Sequence, residues 1–388
     1  MNATRAQPSP HPLRVSFIFE YARPADDWMM RSLIESLQTK LPGLRATCIH
    51  GVFATYRPGG LRPKRLANLA WVYMCTAFHL TLLRPDAVLV RSSPPGIQIW
   101  TVWWAGLRGV PVICWLMDYH PEIEARQLER RGLNGIARLV RRIDARSMRR
   151  FSAVVALDRS MSNVARERAA GVEVLEHPTW GGDAMLLTPV SYQPGNGRGP
   201  LHLAYSGNLG AAHDLTTLGP LLERLVQRRP VELLVIGASP DGIERFRILG
   251  ESMGVAIVNR PRVPFAELRE IYNEARIDAG IVLLSEGFAG LLSPSKFSGY
   301  INFGVPIVYI GPPDTNAADV CTRFEGGFWL QNHASDSEIR NVVNSLLDEG
   351  QMEKAARGAR TAAGHFATLN HESLAALLAP RLRNRVPR

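Results

Sequence analysis

Cysteine is scarce. Four occur in 388 residues, Cys48, Cys75, Cys114 and Cys321, and none forms a CxxC pair or stands at metal-ligand spacing from a histidine. A disulfide framework and a cysteine-held zinc site are therefore excluded, and the four read as small core residues of a reducing compartment. An apolar stretch behind a basic start is also missing. The first dozen residues, MNATRAQPSPHP, are polar and proline-rich. No secretory signal is expected there, and residues 1–12 read as a disordered tail. Only residues 66–83, LANLAWVYMCTAFHLTLL, raise the question of a membrane span. They lack Asp, Glu, Lys and Arg over eighteen positions, between Lys64, Arg65 and Arg84. That length is at the lower edge for crossing a bilayer. Asn68, Thr76, His79 and Thr81 inside it, and a strand pattern just after it, favour a buried or membrane-touching helix.

Positive charge is in excess. The net charge is +10 and the pI about 9.8. Such a balance suits an anionic partner (nucleic acid, an acidic membrane surface or a phosphorylated substrate) or a solvated arginine-rich surface. With 46% hydrophobic and 21% charged residues the chain is globular in composition. Its length is too great for one ordinary core, so two domains are expected.

Strand and helix patterns alternate twice. LRVSFIF, RATCIHGVF, DAVLVRSS, VPVICWLMD, SAVVALD and VEVLEHP read as strands with helical stretches between them. Asp26 or Asp27 is a possible N-cap of the first helix. VPVICWLMD is a continuous apolar run, as in a parallel sheet covered on both faces. Residues 188–200, TPVSYQPGNGRGP, are dense in Pro and Gly and read as a linker. The alternation then restarts with LHLAYSG, VELLVIG, VAIVN, DAGIVLL and VPIVYIG. Two doubly wound α/β domains follow, residues 13–187 and 201–365, with a C-terminal helix and basic tail over 366–388. Ligands of such sheets bind beyond the carboxyl ends of the strands, so a cleft between the domains is the expected site.

Three loops could carry chemistry. Ser206-Gly207-Asn208-Leu209-Gly210 follows a strand, and its small residues let the backbone approach a phosphate. By itself a two-glycine turn is a weak signal. Glu286-Gly287-Phe288-Ala289-Gly290 follows another strand and offers a carboxylate and backbone amides to a polar ligand, or is a solvated surface loop. Ser293, Ser295 and Lys296 open a helical stretch. A cation at a helix start is locally unfavourable unless an anion joins it, so Lys296 suggests a phosphate. No CxxC pair or cysteine–histidine spacing points to a metal.

In combination, AYSGNLGAAHDLTTL, ELLVIGASPDG, PFAELREIYNEARIDAGIVLL and SPSKFSGYINFGVPIVYIG resemble family-4 glycosyltransferases of the GT-B fold, in order and spacing. The nearest branch builds bacterial surface polysaccharides. VRSSPP, GVPVICWLMDYHPE and VEVLEHPTW resemble it less specifically. The resemblance implies two Rossmann-like domains, a nucleotide-sugar donor on the C-terminal one and an acceptor on the N-terminal one. It implies retaining transfer without a metal or other cofactor. Gly207, Asn208 and Gly210 would lie beside the diphosphate, with Ser293, Ser295 and Lys296. Lys296 would neutralise the leaving group. Glu286 and the amides of Gly287, Phe288, Ala289 and Gly290 would contact the donor sugar. Asp118 or His120 would approach the donor sugar or the acceptor hydroxyl. The chain departs from the family at three points. Gly299 stands where a ribose-binding glutamate is usual. Asn208 and His213 replace an Arg and a Lys. Ala25, Asp26 and Asp27 replace an N-terminal glycine pair.

Arg138, Arg141, Arg142, Arg146, Arg149 and Arg150 recur at three- and four-residue steps near Trp100, Trp103 and Trp104. Arginine beside tryptophan suits an anionic membrane surface, or a solvated helix face over core tryptophans. No nucleic-acid recognition module is visible. The expectation is a glycosyltransferase peripheral to the inner face of the cytoplasmic membrane, using a nucleotide sugar and a lipid-linked or glycan acceptor. The alternatives are a donor-binding scaffold of a polysaccharide assembly complex and a GT-B-like nucleotide-sugar epimerase.

Overall fold

The computed structural model describes residues 12–21, 24–51, 63–178 and 199–383. The tail expected at 1–12 and the linker expected at 188–200 fall outside them, except for Pro12, Gly199 and Pro200. Two compact units are present, and each is described by itself.

The first unit contains β1 (Arg14–Tyr21), α1 (Pro24–Lys40), β2 (Arg45–Gly51), α2 (Pro63–Leu82), β3 (Ala87–Arg91), α3 (Ile97–Gly106), β4 (Val112–Trp115), α4 (His120–Arg130), α5 (Asn134–Met148), β5 (Ala153–Ala156), α6 (Arg159–Arg168) and β6 (Glu173–Glu176). Its sheet is parallel, in the order β2-β1-β3-β4-β5-β6. The central strands β3, β4 and β5 are buried along their whole length, which their unbroken apolar sequences require. β2 lies at the edge and is half open, so Cys48 is exposed; Cys75, on α2, is half-buried. Only Cys114 and Cys321 are core residues, a correction to the reading of all four as buried. Helix α1 starts at Pro24, so Asp26 and Asp27 fall inside its first turn rather than capping it.

The second unit contains β7 (Leu201–Ser206), α7 (Leu218–Val226), β8 (Val231–Ile236), α8 (Pro240–Met253), β9 (Ala256–Arg260), α9 (Phe265–Glu274), β10 (Ala279–Leu283), α10 (Lys296–Ile301), β11 (Ile307–Ile310), α11 (Asn316–Thr322), β12 (Gly327–Leu330), α12 (Asp336–Leu347) and α13 (Glu349–Thr368). Its parallel order is β12-β11-β10-β7-β8-β9. Both units are therefore doubly wound and Rossmann-like. The strand order reverses at β1/β3 in the first sheet and at β7/β10 in the second, and a doubly wound sheet opens a ligand crevice at such a point.

Some elements were not anticipated. DYHPE starts helix α4, with Pro121 in its first positions and Glu122 in its first turn. α11 and β12 are short. The last helix is two, because Asn370 Oδ1 accepts from the amides of Glu372 and Ser373 and starts α14 (His371–Arg383). α14 returns to the first unit and packs on α1.

Candidate functional site

In the second unit the loops after β7 and β10 sit at the switch point. Ser285 N donates to Ala212 O at 2.7 Å and ties the two loops together. Lys296 reaches into the first of them. Its Nζ donates to Tyr205 Oη and to Asn208 O at 2.8 Å, and lies 3.1 Å from His213 Nε2. It also stands 4.2 Å from the centre of the Tyr205 ring. Gly207 has φ +101°, and a Cβ there would stand 3.1 Å from Lys296 Cε. Glycine is needed both for the backbone conformation and for the close approach.

The lysine is held by the helix behind it. Tyr300, one helical turn on, donates to Ala204 O at 3.0 Å and accepts from Ser206 N at 2.8 Å. Its ring lies so close to the sheet that a Cβ on Gly280 would come within 2.2 Å of it. Tyr272 stacks on it at 5.5 Å. Tyr205, Tyr300 and Gly280 were not marked by the sequence as site residues. A tyrosine at the end of an apolar strand and a lone glycine inside another were the available signals.

Burial pushes the Lys296 ammonium down to about 7. Burial, and then the Lys296 charge, push His213 down to about 3. His213 Nδ1 meets both the N–H and the carbonyl of Gly210 (3.0 and 3.3 Å). The proton of this contact therefore sits on the lysine, and the imidazole beside it is neutral. No carboxylate touches Lys296 among its contacts, so an arriving anion would find an uncompensated cation.

The other expected residues are placed as follows. The Gly207 amide already donates to Ile236 O at 2.7 Å. Asn208 is exposed, and its Oδ1 accepts from Ser239 N at 3.2 Å. Glu286 is exposed on a single 3₁₀ turn, Glu286–Phe288. The amides of Phe288 and Ala289 close that turn on Ser285 O and Glu286 O. Gly290 has φ +71°. Ser293 is half-buried and Ser295 exposed at the start of α10. Gly287 is exposed beside Glu286.

The first unit gathers a second polar group at its own switch point. Ser92 Oγ accepts from Met117 N at 2.9 Å and donates to Asp118 O at 2.9 Å, locking the ends of β3 and β4 together. Ser93 Oγ donates to Glu20 Oε2. His120 lies between Asp118 (3.7 Å) and Glu124 (3.1 Å). Burial opposes its protonation, but the Glu124 hydrogen bond and the Asp118 charge outweigh burial and raise its pKa. Glu20 and Glu124 were missed by the sequence reading. Behind them Glu122 is buried against Arg141 (2.9 Å), Arg168 (2.8 Å) and Arg126 (3.1 Å). Burial would raise its pKa, but the three guanidinium hydrogen bonds hold it down at about 2. Arg141 thus faces inward and leaves the basic stripe of α5. Arg138, Arg142, Arg146 and Arg149 are exposed, Trp103 is exposed, and Trp104 is half-buried. The side chains of Ala25, Asp26 and Asp27 lie outside the described residues.

Among the described residues no three His, Cys, Asp or Glu side chains are arranged to hold a metal ion, and no helix is long and apolar enough to cross a membrane. No protein-family model matches the chain, and no curated protein matches it in sequence. Solved structures do match. Sucrose-phosphate synthase from Thermosynechococcus elongatus superposes with a TM-score of 0.63 at 12% identity, over 96% of this chain and 98% of that one. The fold is GT-B. HepE of Anabaena, solved with UDP-glucose, matches with a TM-score of 0.61 at 14% identity, over 96% and 100%. The lipopolysaccharide outer core galactosyltransferase WaaB matches with 0.58 at 12%, over 91% and 99%. Two six-stranded parallel sheets flanked by helices are what these proteins share with this chain.

Proposed function

We propose that this protein is a retaining glycosyltransferase of family-4 type, moving a hexosyl or N-acetylhexosaminyl group from a nucleotide sugar to a lipid-linked or glycan acceptor in bacterial polysaccharide synthesis. The observation that carries the reading is Lys296 against the Gly207–Asn208 turn at the β7/β10 switch point, without a carboxylate partner. A diphosphate there would meet a fixed cation as its charge grows on departure, which favours the transition state over the ground state. The donor sugar would lie by Glu286 and the Gly287–Gly290 loop. His120, held by Glu124 and next to Asp118, would meet the sugar or the acceptor hydroxyl. No metal or cofactor takes part in this reading. The protein works on the inner face of the cytoplasmic membrane, where a lipid-linked acceptor is met.

The test is release of nucleoside diphosphate from a panel of nucleotide sugars, with and without a membrane lipid extract as acceptor source. Release that needs the extract and stops in His120→Ala is expected. Release without acceptor, or interconversion of the donor, favours epimerase chemistry. Binding without either favours the scaffold.

A further inference from the structure

Helix α2 has its polarity turned round. Asn68 (1% exposed), Thr76 (0%) and His79 (9%) point into the unit, and His79 bonds Ser16 Oγ at 2.7 Å. Trp71, Met74, Phe78 and Leu82, spaced by three and four residues on one face, point out, with Met74 61% and Phe78 65% exposed. A helix in water does the reverse. The exposure is also concentrated. Of the fourteen large apolar side chains exposed among the described residues, thirteen lie on α2, α3, α5 or the residues bordering them. These three helices are neighbours. Trp100 Nε1 of α3 donates to Tyr73 O of α2 at 3.0 Å, and Trp103 Nε1 to Ser147 Oγ of α5 at 2.9 Å. Contiguous apolar exposure on this scale marks an interaction surface.

Charge identifies the partner. α2 and α3 contain no Asp or Glu, and the one acid of α5, Asp144, is buried. On α5 the exposed Ile136, Leu139 and Ile143 run beside Arg138, Arg142, Arg146 and Arg149. The side chains of these four arginines make no ion pair or hydrogen bond among the described residues, whereas Arg141 of α5 turns inward to Glu122 and Glu129. A second copy meeting this face through a two-fold axis would bring arginines together with no carboxylate to receive them. A bilayer carrying anionic lipid matches both stripes: phosphates for the arginines, acyl chains for the apolar side chains.

We infer that the α2–α3–α5 face is the membrane-docking surface, with α2 lying in the plane of an anionic bilayer and its Trp71–Met74–Phe78–Leu82 face in the acyl boundary. The inference builds on the membrane-peripheral part of the proposed function and is independent of sugar transfer. The experiment is co-sedimentation of the full chain with vesicles of phosphatidylcholine alone, or with an equal part of phosphatidylglycerol. Binding to the mixed vesicles is expected to exceed binding to neutral ones by at least about tenfold. Each of Arg142→Ala and Arg146→Ala is expected to weaken it by about fivefold. Met74→Ser with Phe78→Ser should abolish it, while circular dichroism and nucleotide-induced thermal shifts stay as in wild type. Equal binding by wild type and variants overturns the inference. So does absence of binding, or a wild-type dimer in sedimentation velocity that the double variant dissociates. Vesicle binding in a protein that binds no nucleotide would leave this inference standing and remove the proposed function.

Discussion

Lys296 decides most at the scale of single residues. Its ammonium is pushed down to about 7 by burial, so near neutral pH a substantial fraction of the unliganded protein carries it uncharged. A bound diphosphate would draw a proton onto it. Nucleoside diphosphate affinity should therefore fall by up to about tenfold per pH unit above pH 7, one proton being taken up per ligand bound. Titration calorimetry from pH 6.5 to 9 reads this directly, and Lys296→Arg, charged throughout, should flatten the slope. An affinity that does not change from pH 7 to 9 would remove the lysine from the phosphate. The linkage for folding has a definite sign. The unfolded lysine keeps its proton up to about 10.5 and the folded one releases it near 7. The unfolded chain binds more protons between those values, so this residue's contribution to stability rises with pH there. The sequence could show that Lys296 stood at a helix start. It could not show Tyr205 and His213 closing on the amine, since they lie 91 and 83 residues away along the chain and only the packed sheet brings them together.

At the scale of elements, two helices hold the site residues. α10 is six residues long, too short to be stable alone, and it is pinned through Tyr300 lying on Gly280. Gly280→Ala would force that ring outward. The expected cost is about 1–3 kcal/mol, with nucleotide binding weakened as well because Lys296 moves with the helix. A denaturant melt paired with calorimetry checks both, and an unchanged melt would contradict the packing argument. α4 is fixed by Glu122. Removing its carboxylate leaves Arg126, Arg141 and Arg168 without their shared partner, and Glu122→Ala is expected to cost about 3 kcal/mol. Its folded pKa of about 2 lies below the ordinary 4.5. The stabilisation is therefore complete above about pH 4.5 and is lost as pH falls toward 2. Wild type should lose its advantage over Glu122→Ala across that window in acid-denaturation curves. The strands were legible because buried parallel strands are apolar runs. α4 was not, because DYHPE carries turn residues whose helical fate depends on buried arginine contacts. The outward face of α2 was not legible either. Asn68, Thr76 and His79 share one side of it, and that side would face water in an ordinary amphipathic helix, whereas here it meets the core.

At the scale of the whole molecule, two units share one architecture, and each gathers polar side chains at its own switch point. The second places a lysine, a histidine and two loops at its switch point. The first places Glu20, Ser93, Asp118, His120 and Glu124 at its own, and carries thirteen of the fourteen large apolar side chains exposed among the described residues. The double alternation of strands and helices made this architecture readable from the sequence. The return of α14 to pack on α1 was not readable, because it is set by long-range packing rather than by a local pattern. We propose that the second unit holds a nucleoside diphosphate through Lys296. The most direct test is a thermal-shift comparison of wild type and Lys296→Ala against UDP, GDP, ADP, TDP and CDP. A ligand that binds only the folded state raises its melting temperature by mass action. One diphosphate is expected to stabilise wild type and to leave Lys296→Ala unmoved. Equal shifts in both proteins, or no shift with any of the five in a folded wild type, would contradict the proposal.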